Sequence, residues 1–538
     1  MKAFFLFVSL AHEKYFICNY KRRATNAFYI KTKEAQILAQ KRGKMKLSKL
    51  CNEIKYTLLQ GSLDAEVRDI IYDSRKIAPE TMFVCMVGAV TDGHKYIPDA
   101  IEKGASVIVL EKEEEAAQIP ESITVLKVES ARYALALMSA ALFDYPDRKL
   151  VTIGLTGTKG KTTTTYMIKK VLEMAGKKVG LIGTIGALVG DEMIPSKNTT
   201  PESYELHRMF ASMVEAGCEY VVMEVSSQGL KMDRTAGIMF DYGVFTNLSP
   251  DHIGPTEHAS MEEYIECKSL LFHQCKVGIV NVDDEHVEQI LKNHTCEVRK
   301  FSVKNEKVDL QASEIGFINE DGKLGMHFKV TGCMECDAKV HIPGRFSVYN
   351  SMVTMLVCHE AGIAKESILE GLSKVQVKGR VEMLPVSKDY TLIIDYAHNE
   401  VSTRSVLTTL LEYHPKRLIC VYGGGGDRSK LRRYDMGEVT GEMADLCVLT
   451  CDNPRSEEIR DINNDIKVGL AKSNGKYIEI DDRKEAIAYC MVNAQPGDMI
   501  VLLGKGHEDY QEIKGVKYHF DEREAVAEIL EEIKAGKR

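Results

Sequence analysis

The 538-residue sequence lacks any apolar run long enough to cross a bilayer as a helix. The nearest approach is AFFLFVSLA at residues 3–11, whereas a spanning helix needs about 20 apolar residues. Only Lys2 supplies a basic leader and no clear cleavage motif follows, so the stretch is expected to be neither an anchor nor a secretion signal. A surplus of positive charge is also missing: 70 Lys and Arg stand against 78 Asp and Glu, a net charge of −8. Without a basic tract there is no electrostatic footprint for DNA or RNA, and an anionic ligand must be held by a local site. The 14 cysteines show no disulfide-like spacing. Cys85, Cys267, Cys358, Cys420 and Cys447 lie in apolar stretches, where a thiol serves as a small hydrophobe. The CxxC at Cys333 and Cys336 has no second ligand pair to complete a tetrahedral zinc site, and reads as two thiols on a hairpin-like segment. Such cysteine usage fits a reducing cytoplasm. No repeat of solenoid period is present.

What is present is an ordinary globular composition, 44% hydrophobic and 28% charged, on a chain long enough for about three domains. Globular patterning begins at Met45 with MKLSKLCNEI, and residues 1–44 are expected to be a poorly ordered extension. Residues 45–144 read as a small α/β domain, in which apolar runs such as TMFVCMVG alternate with amphipathic stretches such as YIPDAIEKGA. Across 145–377 the pattern becomes strand, turn and helix repeatedly, with strand candidates VTIGLTG, KKVGLIGTIG, YVVMEVSS, YGVFTNLS and KVGIVNVDD. Short β-branched runs between helical segments predict a parallel sheet covered on both faces. Residues 308–345 look antiparallel and hairpin-rich. A second doubly wound set fills 378–538, with TLIIDYAHN, RLICVYGGGG, ADLCVLTCDNP and DMIVLLGKGHED as its strands. The expected class is therefore α/β in three domains: a small first domain, a central phosphate-loop ATPase-like sheet and a C-terminal Rossmann-like domain. In open α/β sheets ligands bind beyond the carboxyl ends of the strands, which here end in glycines and polar residues.

The segment Thr156-Gly157-Thr158-Lys159-Gly160-Lys161-Thr162-Thr163 follows an apolar strand and precedes the helical YMIKKVLEMAG. Glycines let backbone N–H groups close around phosphate oxygens, and the helix N-terminus adds its positive dipole end. Lys161 can reach the β- and γ-phosphates and the Thr162 hydroxyl can bind Mg²⁺. The spacing departs from the standard Walker form, whose first glycine would fall where Leu155 stands. Nucleotide binding follows from this motif; the reaction it drives does not.

TGTKGKTTT is the form of phosphate loop found in the Mur ligases, and further motifs match in order over residues 45–538. The sequence resembles that family, most closely the members that add the third amino acid of a peptidoglycan stem peptide. The resemblance implies that Glu224 in MEVSSQGL and His252 in TNLSPDH are Mg²⁺ ligands; taken alone, each also reads as a solvated strand-end carboxylate or a turn histidine. Lys268 in MEEYIECKSLLF lies on a predicted helix, where a single lysine is ordinarily a solvated charge. By resemblance it is the lysine carried as an N-carbamate, formed with CO₂, that ligates a second metal ion. Asn350 in GRFSVYNS resembles the adenine-side asparagine, Arg380 in KGRVEML the linker arginine that meets the phosphates, and Asp395 in IIDYAHN the ribose-binding carboxylate. Ser347 stands where the family usually has a further asparagine, and His398 reads equally as structural or chemical.

Ser74 and the stretch Ala89 to Thr91 resemble the uridine-binding loops that make the first domain a UDP-substrate domain. Asn198, Thr199, Thr200, Ser226 and Arg234 resemble the central contacts to UDP-N-acetylmuramic acid; Met232 stands where some members have glutamine. Hydroxyls, amides and a guanidinium suit diphosphate and sugar oxygens. In the last domain Asp452-Asn453-Pro454-Arg455 has the form seen in ligases that add meso-diaminopimelate, with Arg433, Gly504 and Glu508 matching the rest of that pocket. Diaminopimelate differs from lysine by a second carboxylate, which the planar fork of Arg455 can take bidentately. Tyr434 stands where such enzymes commonly have proline. The implied activity is ATP-dependent addition of meso-diaminopimelate to UDP-N-acetylmuramoyl-L-alanyl-D-glutamate through an acyl phosphate, by a cytoplasmic monomer using Mg²⁺, with no nucleic-acid partner and no stable membrane insertion. The alternatives are the same ligation with L-lysine, a folylpolyglutamate synthetase-like ligase, and a phosphate-loop regulatory protein without ligase chemistry. Phosphoryl transfer followed by acyl transfer needs no protein nucleophile, which agrees with the lack of a Ser-His-Asp or Cys-His set.

Overall fold

The computed structural model describes residues 43–538 apart from positions 89–90, 191, 251–252, 255–256, 306 and 321–322. All but the last two residues of the expected extension at 1–44 lie outside the described residues. The chain divides into two compact units. One takes in the chain through Pro146 with Ser203–Arg208 and Met232–Gly237; the other comprises Asp147–Glu202, Met209–Lys231 and Ile238–Arg538.

In the first unit five strands form one sheet: β1 (Thr57–Gln60), β2 (Ile70–Ile71), β3 (Met82–Val84), β4 (Val107–Leu110) and β5 (Thr124–Lys127), in the order β1-β5-β4-β3-β2. Strands β2 to β5 run parallel and β1 is antiparallel to β5. β3 and β4 are buried along their whole length, as parallel strands covered on both faces must be. Helix α1 (Ala131–Leu142) starts at Ser130, whose hydroxyl accepts the Tyr133 N–H at 3.1 Å. Met45–Lys46 pairs with Glu66–Val67.

The second unit holds two larger sheets. The first runs through β6 (Val151–Thr156), β7 (Val179–Gly183), β8 (Gly186–Val189), β9 (Glu192–Ile194), β10 (Tyr220–Glu224), β11 (Phe240–Phe245), β12 (Cys275–Asn281), β13 (Glu297–Ser302), β14 (Leu310–Glu320), β15 (Lys323–Gly332) and β16 (Cys336–Val340). Their order is β9-β8-β7-β10-β6-β11-β12-β13-β14-β15-β16. The five strand candidates of this region are β6, β7, β10, β11 and β12, and the sheet is parallel from β7 to β14. It is not parallel throughout: β8 and β9 at one end and β15 and β16 at the other continue it antiparallel. β15 alternates buried and exposed residues over much of its length, the pattern of a sheet with one face in solvent. Cys333 lies in the β15–β16 connection and Cys336 opens β16, so the two thiols do sit on a hairpin.

Helix α2 (Lys161–Met174) follows β6 directly, and α4 (Arg345–Glu360) and α5 (Lys365–Lys374) pack on it. Ile153, Leu155, Ile168, Val171, Met352, Leu356 and Leu372 share this core, each full burial contributing roughly 1.5–3 kcal/mol before entropy is set against it. Helix α3 (Met261–Ser269) precedes β12. The other sheet comprises β17 (Glu382–Leu384), β18 (Thr391–Asp395), β19 (Arg417–Tyr422), β20 (Leu446–Leu449), β21 (Tyr477–Glu479) and β22 (Asp498–Leu503), ordered β17-β18-β22-β19-β20-β21. Only the edge strand β17 is antiparallel. Its helices include α6 (Glu400–Leu411), whose Asn399 cap accepts the Ser402 N–H at 2.9 Å, and the packed pair α7 (Lys430–Met443) and α8 (Ile459–Ser473). Among the described residues no helix is long and apolar enough to cross a membrane.

Candidate active site

The phosphate loop turns from β6 into α2 between two close approaches. Gly157 has φ +142°, and a Cβ there would strike Thr246 Oγ1 and lie 3.0 Å from the Asn247 carbonyl oxygen. Gly160 has φ +86°, and its Cβ would lie 2.6 Å from Asn350 Oδ1. Only glycine fits both the angle and the space. Neighbouring backbone fixes the rest of the loop. The Thr158 N–H donates to the Asn247 carbonyl (2.8 Å), the Lys159 N–H to Asn247 Oδ1 (3.0 Å), and Thr246 Oγ1 to the Lys159 carbonyl (2.8 Å). Lys161 folds back, its Nζ donating to the carbonyls of Gly157 (2.8 Å) and Thr158 (3.1 Å).

At the start of α2 the Thr162 hydroxyl donates to the Glu224 carboxylate at 2.8 Å. Glu224 ends β10, is 1% exposed, and also accepts the N–H (2.9 Å) and hydroxyl (3.1 Å) of Thr184. A threonine hydroxyl beside a buried carboxylate at the end of a phosphate loop is a hard-oxygen donor pair that fits Mg²⁺. His252 lies outside the described residues. Lys268, on α3, is not solvated: it is 1% exposed, and its Nζ donates to the Gly157 carbonyl at 3.0 Å from behind the loop.

The loop opens onto a cavity of about 750 Å³ bordered by Thr158, Lys159, Gly160, Lys161, Thr162, Thr163, Glu224, Asn350, Arg380 and Asp395. Every expected nucleotide residue is among them except Gly157, which lies beneath. The Arg380 guanidinium stands over the Tyr396 ring, 4.9 Å from its centroid. Asp395 ends β18, where its carboxylate accepts the N–H groups of Val381 (2.7 Å) and Ala397 (2.8 Å). Burial pushes the Asp395 carboxyl up, against the pull of Arg380 and those two donors. The His398 ring bonds the Tyr396 carbonyl through Nδ1 at 2.8 Å, a turn contact.

A second cavity, of about 120 Å³, is bordered by Arg433, Asp452, Asn453, Arg455, Gly504 and Glu508, with Tyr396 and His398. Six of the seven expected acceptor residues thus share one wall system, and Pro454 supports it from the adjoining turn. Arg433 is 3% exposed and already engaged: it donates to Glu457 (2.6 and 2.8 Å), Asp465 (2.9 Å) and the Gly425 carbonyl (3.0 Å). Glu508 accepts from Asn453 Nδ2 at 2.8 Å and lies 3.3 Å from the buried Lys505 ammonium. Arg455 sits at φ +50° with its Nε 3.5 Å from Glu512. Ser429 and Arg432 border both cavities. Sequence reasoning missed them, although both fall in the GGGGDRSKLRRYDMG stretch from which Arg433 was picked out.

The expected UDP-sugar residues divide between the units. Ser74 opens a short 3-10 turn of the first unit, and Arg234 belongs to that unit too; Ala89 lies outside the described residues, and Thr91 Oγ1 is 3.3 Å from the Tyr96 hydroxyl. In the second unit, Thr200 Oγ1 donates to the Glu224 carbonyl (3.0 Å) and accepts the Ser226 N–H (2.9 Å), and Thr199 Oγ1 lies 3.1 Å from Thr184 Oγ1. Asn198 is next to them, its carbonyl accepting from the Ser196 hydroxyl at 2.6 Å.

Fold and cavities together define a phosphate-loop α/β protein whose nucleotide-type cradle adjoins a second, charge-lined ligand cavity. Residues 155–358 match the Mur ligase middle domain, 379–506 the Mur ligase glutamate ligase domain, and 66–143 the catalytic domain of the Mur ligase family. The chain is 42% identical over 495 residues to UDP-N-acetylmuramoyl-L-alanyl-D-glutamate–2,6-diaminopimelate ligase 1 of Clostridium acetobutylicum, covering 91% of this chain and all of that one. It is 42% identical over 492 residues to the corresponding ligase of Clostridium tetani, with 91% and 100% covered. A solved structure of a UDP-N-acetylmuramoyl-L-alanyl-D-glutamate–2,6-diaminopimelate ligase superposes with a TM-score of 0.67 at 26% identity, over 91% of this chain and 100% of that one. Folylpolyglutamate synthase of Mycobacterium tuberculosis shares the fold at 16% identity and a TM-score of 0.54, over 69% of this chain and 92% of its own. The chain belongs to the Mur ligase family.

Proposed function

We propose that this chain forms the amide bond between UDP-N-acetylmuramoyl-L-alanyl-D-glutamate and meso-diaminopimelate, driven by ATP through an acyl phosphate. The observation that carries this reading is the shared wall: Ser429 and Arg432 border both the phosphate cavity and the acceptor cavity. A two-stage acyl transfer needs that adjacency, because the activated carbonyl must meet the amine in a fixed geometry. The terminal D-glutamate carboxylate attacks the γ-phosphate of ATP and ADP leaves; the acceptor amine then attacks the acyl carbon, gives up a proton, and phosphate leaves.

In this reading Lys161 turns from its carbonyl contacts toward the phosphates, joining the loop N–H groups. Thr162 and Glu224 would hold Mg²⁺, whose charge offsets that of the phosphate oxygens when bound; His252 and Lys268, as an N-carbamate formed with CO₂, complete the metal ligands. Asn350 meets adenine, Asp395 the ribose and Arg380 the phosphates. Ser74, Asn198, Thr199, Thr200, Ser226 and Arg234 meet the UDP-sugar. Arg455 receives the second carboxylate of the acceptor, Arg433 holds the wall behind it, and Glu508 faces the distal ammonium. Domains at 45–144, 145–377 and 378–538 divide UDP-substrate, nucleotide and acceptor among them. We assign the enzyme to the cytoplasm as a monomer. The described cysteines are all free thiols, which accords with a reducing compartment, and sedimentation velocity checks the monomer.

The test is phosphate release with each reactant omitted in turn. Release is expected only when the UDP-dipeptide and meso-diaminopimelate are both present. Release without the dipeptide, or equal service by L-lysine, would overturn the assignment.

A further inference from the structure

Tyr264, on α3, is one of the largest fully buried side chains in the protein, and no step of the proposed reaction uses it. Its hydroxyl lies 3.2 Å from Thr158 Oγ1 in the phosphate loop. Thr158 Oγ1 in turn accepts the Ser249 N–H at 3.0 Å, beyond the end of β11. The Tyr264 ring packs on His258 at 5.1 Å between centroids, and His258 Nε2 lies 2.8 Å from Ser227 Oγ in the short helix after β10. The Lys268 ammonium stands over the same ring, 4.4 Å from its centroid, while donating to the Gly157 carbonyl. One phenol therefore ties together the phosphate loop, the segments after β10 and β11, and the lysine beneath the loop. The face of an aromatic ring attracts a cation and repels an anion.

We propose that Tyr264 is a positioning residue with two separable parts: its ring holds Lys268 in the uncarbamylated form, and its hydroxyl holds the phosphate loop. The first part rests on the reading that Lys268 takes up CO₂. In that step the amine nitrogen attacks the CO₂ carbon. The ammonium has first given one proton to solvent to free the lone pair; an N–C bond then forms, one C–O π bond opens to give the carboxylate, and the second proton displaced from nitrogen also passes to solvent. A positive charge over the ring is replaced by a negative one, so the ring's contribution changes sign and the modified tip must leave its face. The contact from the hydroxyl to Thr158 takes no part in the exchange. The ring thus sets how much CO₂ is needed to convert the lysine, and the hydroxyl sets how the loop is held.

The experiment follows the carbamate carbon resonance of the full-length protein against ¹³C-labelled bicarbonate, with Lys268→Ala as the blank. Tyr264→Met, which fills much of the volume without a π face, is expected to reach half-maximal signal at about threefold to tenfold lower bicarbonate. Tyr264→Phe keeps the face and is expected to shift that midpoint by less than about twofold, while ADP affinity measured by calorimetry weakens about threefold to tenfold. If Tyr264→Met fails to fold, a trifluorophenylalanine at 264, which keeps the ring but depletes its face, must show the shift expected of Met. A midpoint that stays at the wild-type value or rises in the ring-depleted proteins overturns the proposal. A wild-type protein giving no labelled signal that Lys268→Ala removes is a different outcome: it sinks the carbamate reading itself, and the ring's role with it.

Discussion

The two adjoining cavities of the second unit handle negative charge by opposite means. The loop of the phosphate cavity offers backbone N–H groups, threonine hydroxyls and Lys161, is pinned by Thr246 and Asn247, and closes around two glycines with no room for a side chain. Several charged side chains that line the acceptor cavity already have partners: Arg433 has Glu457 and Asp465, Asp452 and Glu508 have Lys505, and Arg455 has Glu512. A backbone cradle is preformed and accepts any phosphate chain of the right shape. A cavity of paired charges accepts only a ligand that keeps every pair satisfied, because a buried charge left alone is costly. Activation is thereby generic and acceptance is selective.

The sharpest way to break this contrast is at Lys161. Lys161→Ala is expected to lower dipeptide-dependent phosphate release by about 10²–10³-fold, the usual cost of losing one preorganised charge at a reacting phosphate; a steady-state loss below about tenfold would mean the loop backbone suffices. Next in size, Arg433→Leu leaves Glu457 and Asp465 facing an apolar chain. It is expected to cost about 3 kcal/mol of folding stability in urea denaturation, the range for breaking a buried pair. An unchanged midpoint would show that the acceptor wall stands without its ion network. Arg455→Ala is expected to raise KM for meso-diaminopimelate roughly 10- to 100-fold with KM for ATP nearly unchanged, from about 1–3 kcal/mol of lost pairing. A parallel rise in both would blur the boundary between the cavities. The smallest effect concerns pH. The Arg433 hydrogen bonds hold the Glu457 carboxyl down at about 2, from an ordinary 4.5. A depressed carboxyl contributes stability that is present above the ordinary value and lost as pH falls toward the depressed one. The stability gap between wild type and Glu457→Gln is therefore expected to be constant above pH 4.5 and to close between 4.5 and 2; a gap that persists at pH 2 would contradict the pairing.

The phosphate cavity was the more legible of the two in the sequence. Strand, glycine turn and helix are contiguous at 151–174, so local pattern alone places Lys161 and Thr162, and the carboxyl ends of β10 and β18 bring in Glu224 and Asp395. The acceptor residues come from three separated stretches, helix α7 and the loops at 452–455 and 504–508, and only the family resemblance marked them. Ser429 and Arg432 went unmarked because no periodicity tells which face of α7 turns toward a neighbouring sheet. Tyr264 reads as an ordinary core aromatic, and Lys268 as a solvated helix charge, until tertiary packing buries both. The antiparallel ends of the large sheet were partly visible, since β15 alternates, whereas the short β8 and β9 carry too few residues for a period to register.

Gly423, Gly424 and Gly425 border the acceptor cavity, and Gly426 follows them in the chain. A methyl group at 423, 424 or 426 would collide with the Thr450 carbonyl, the Ile462 side chain or the Pro454 carbonyl respectively. Those three positions have no vocabulary for change. Heritable drift in acceptor preference is left to the arginines that border the cavity, Arg428, Arg432 and Arg455, of which Arg455 is also tied to the Gly426 carbonyl.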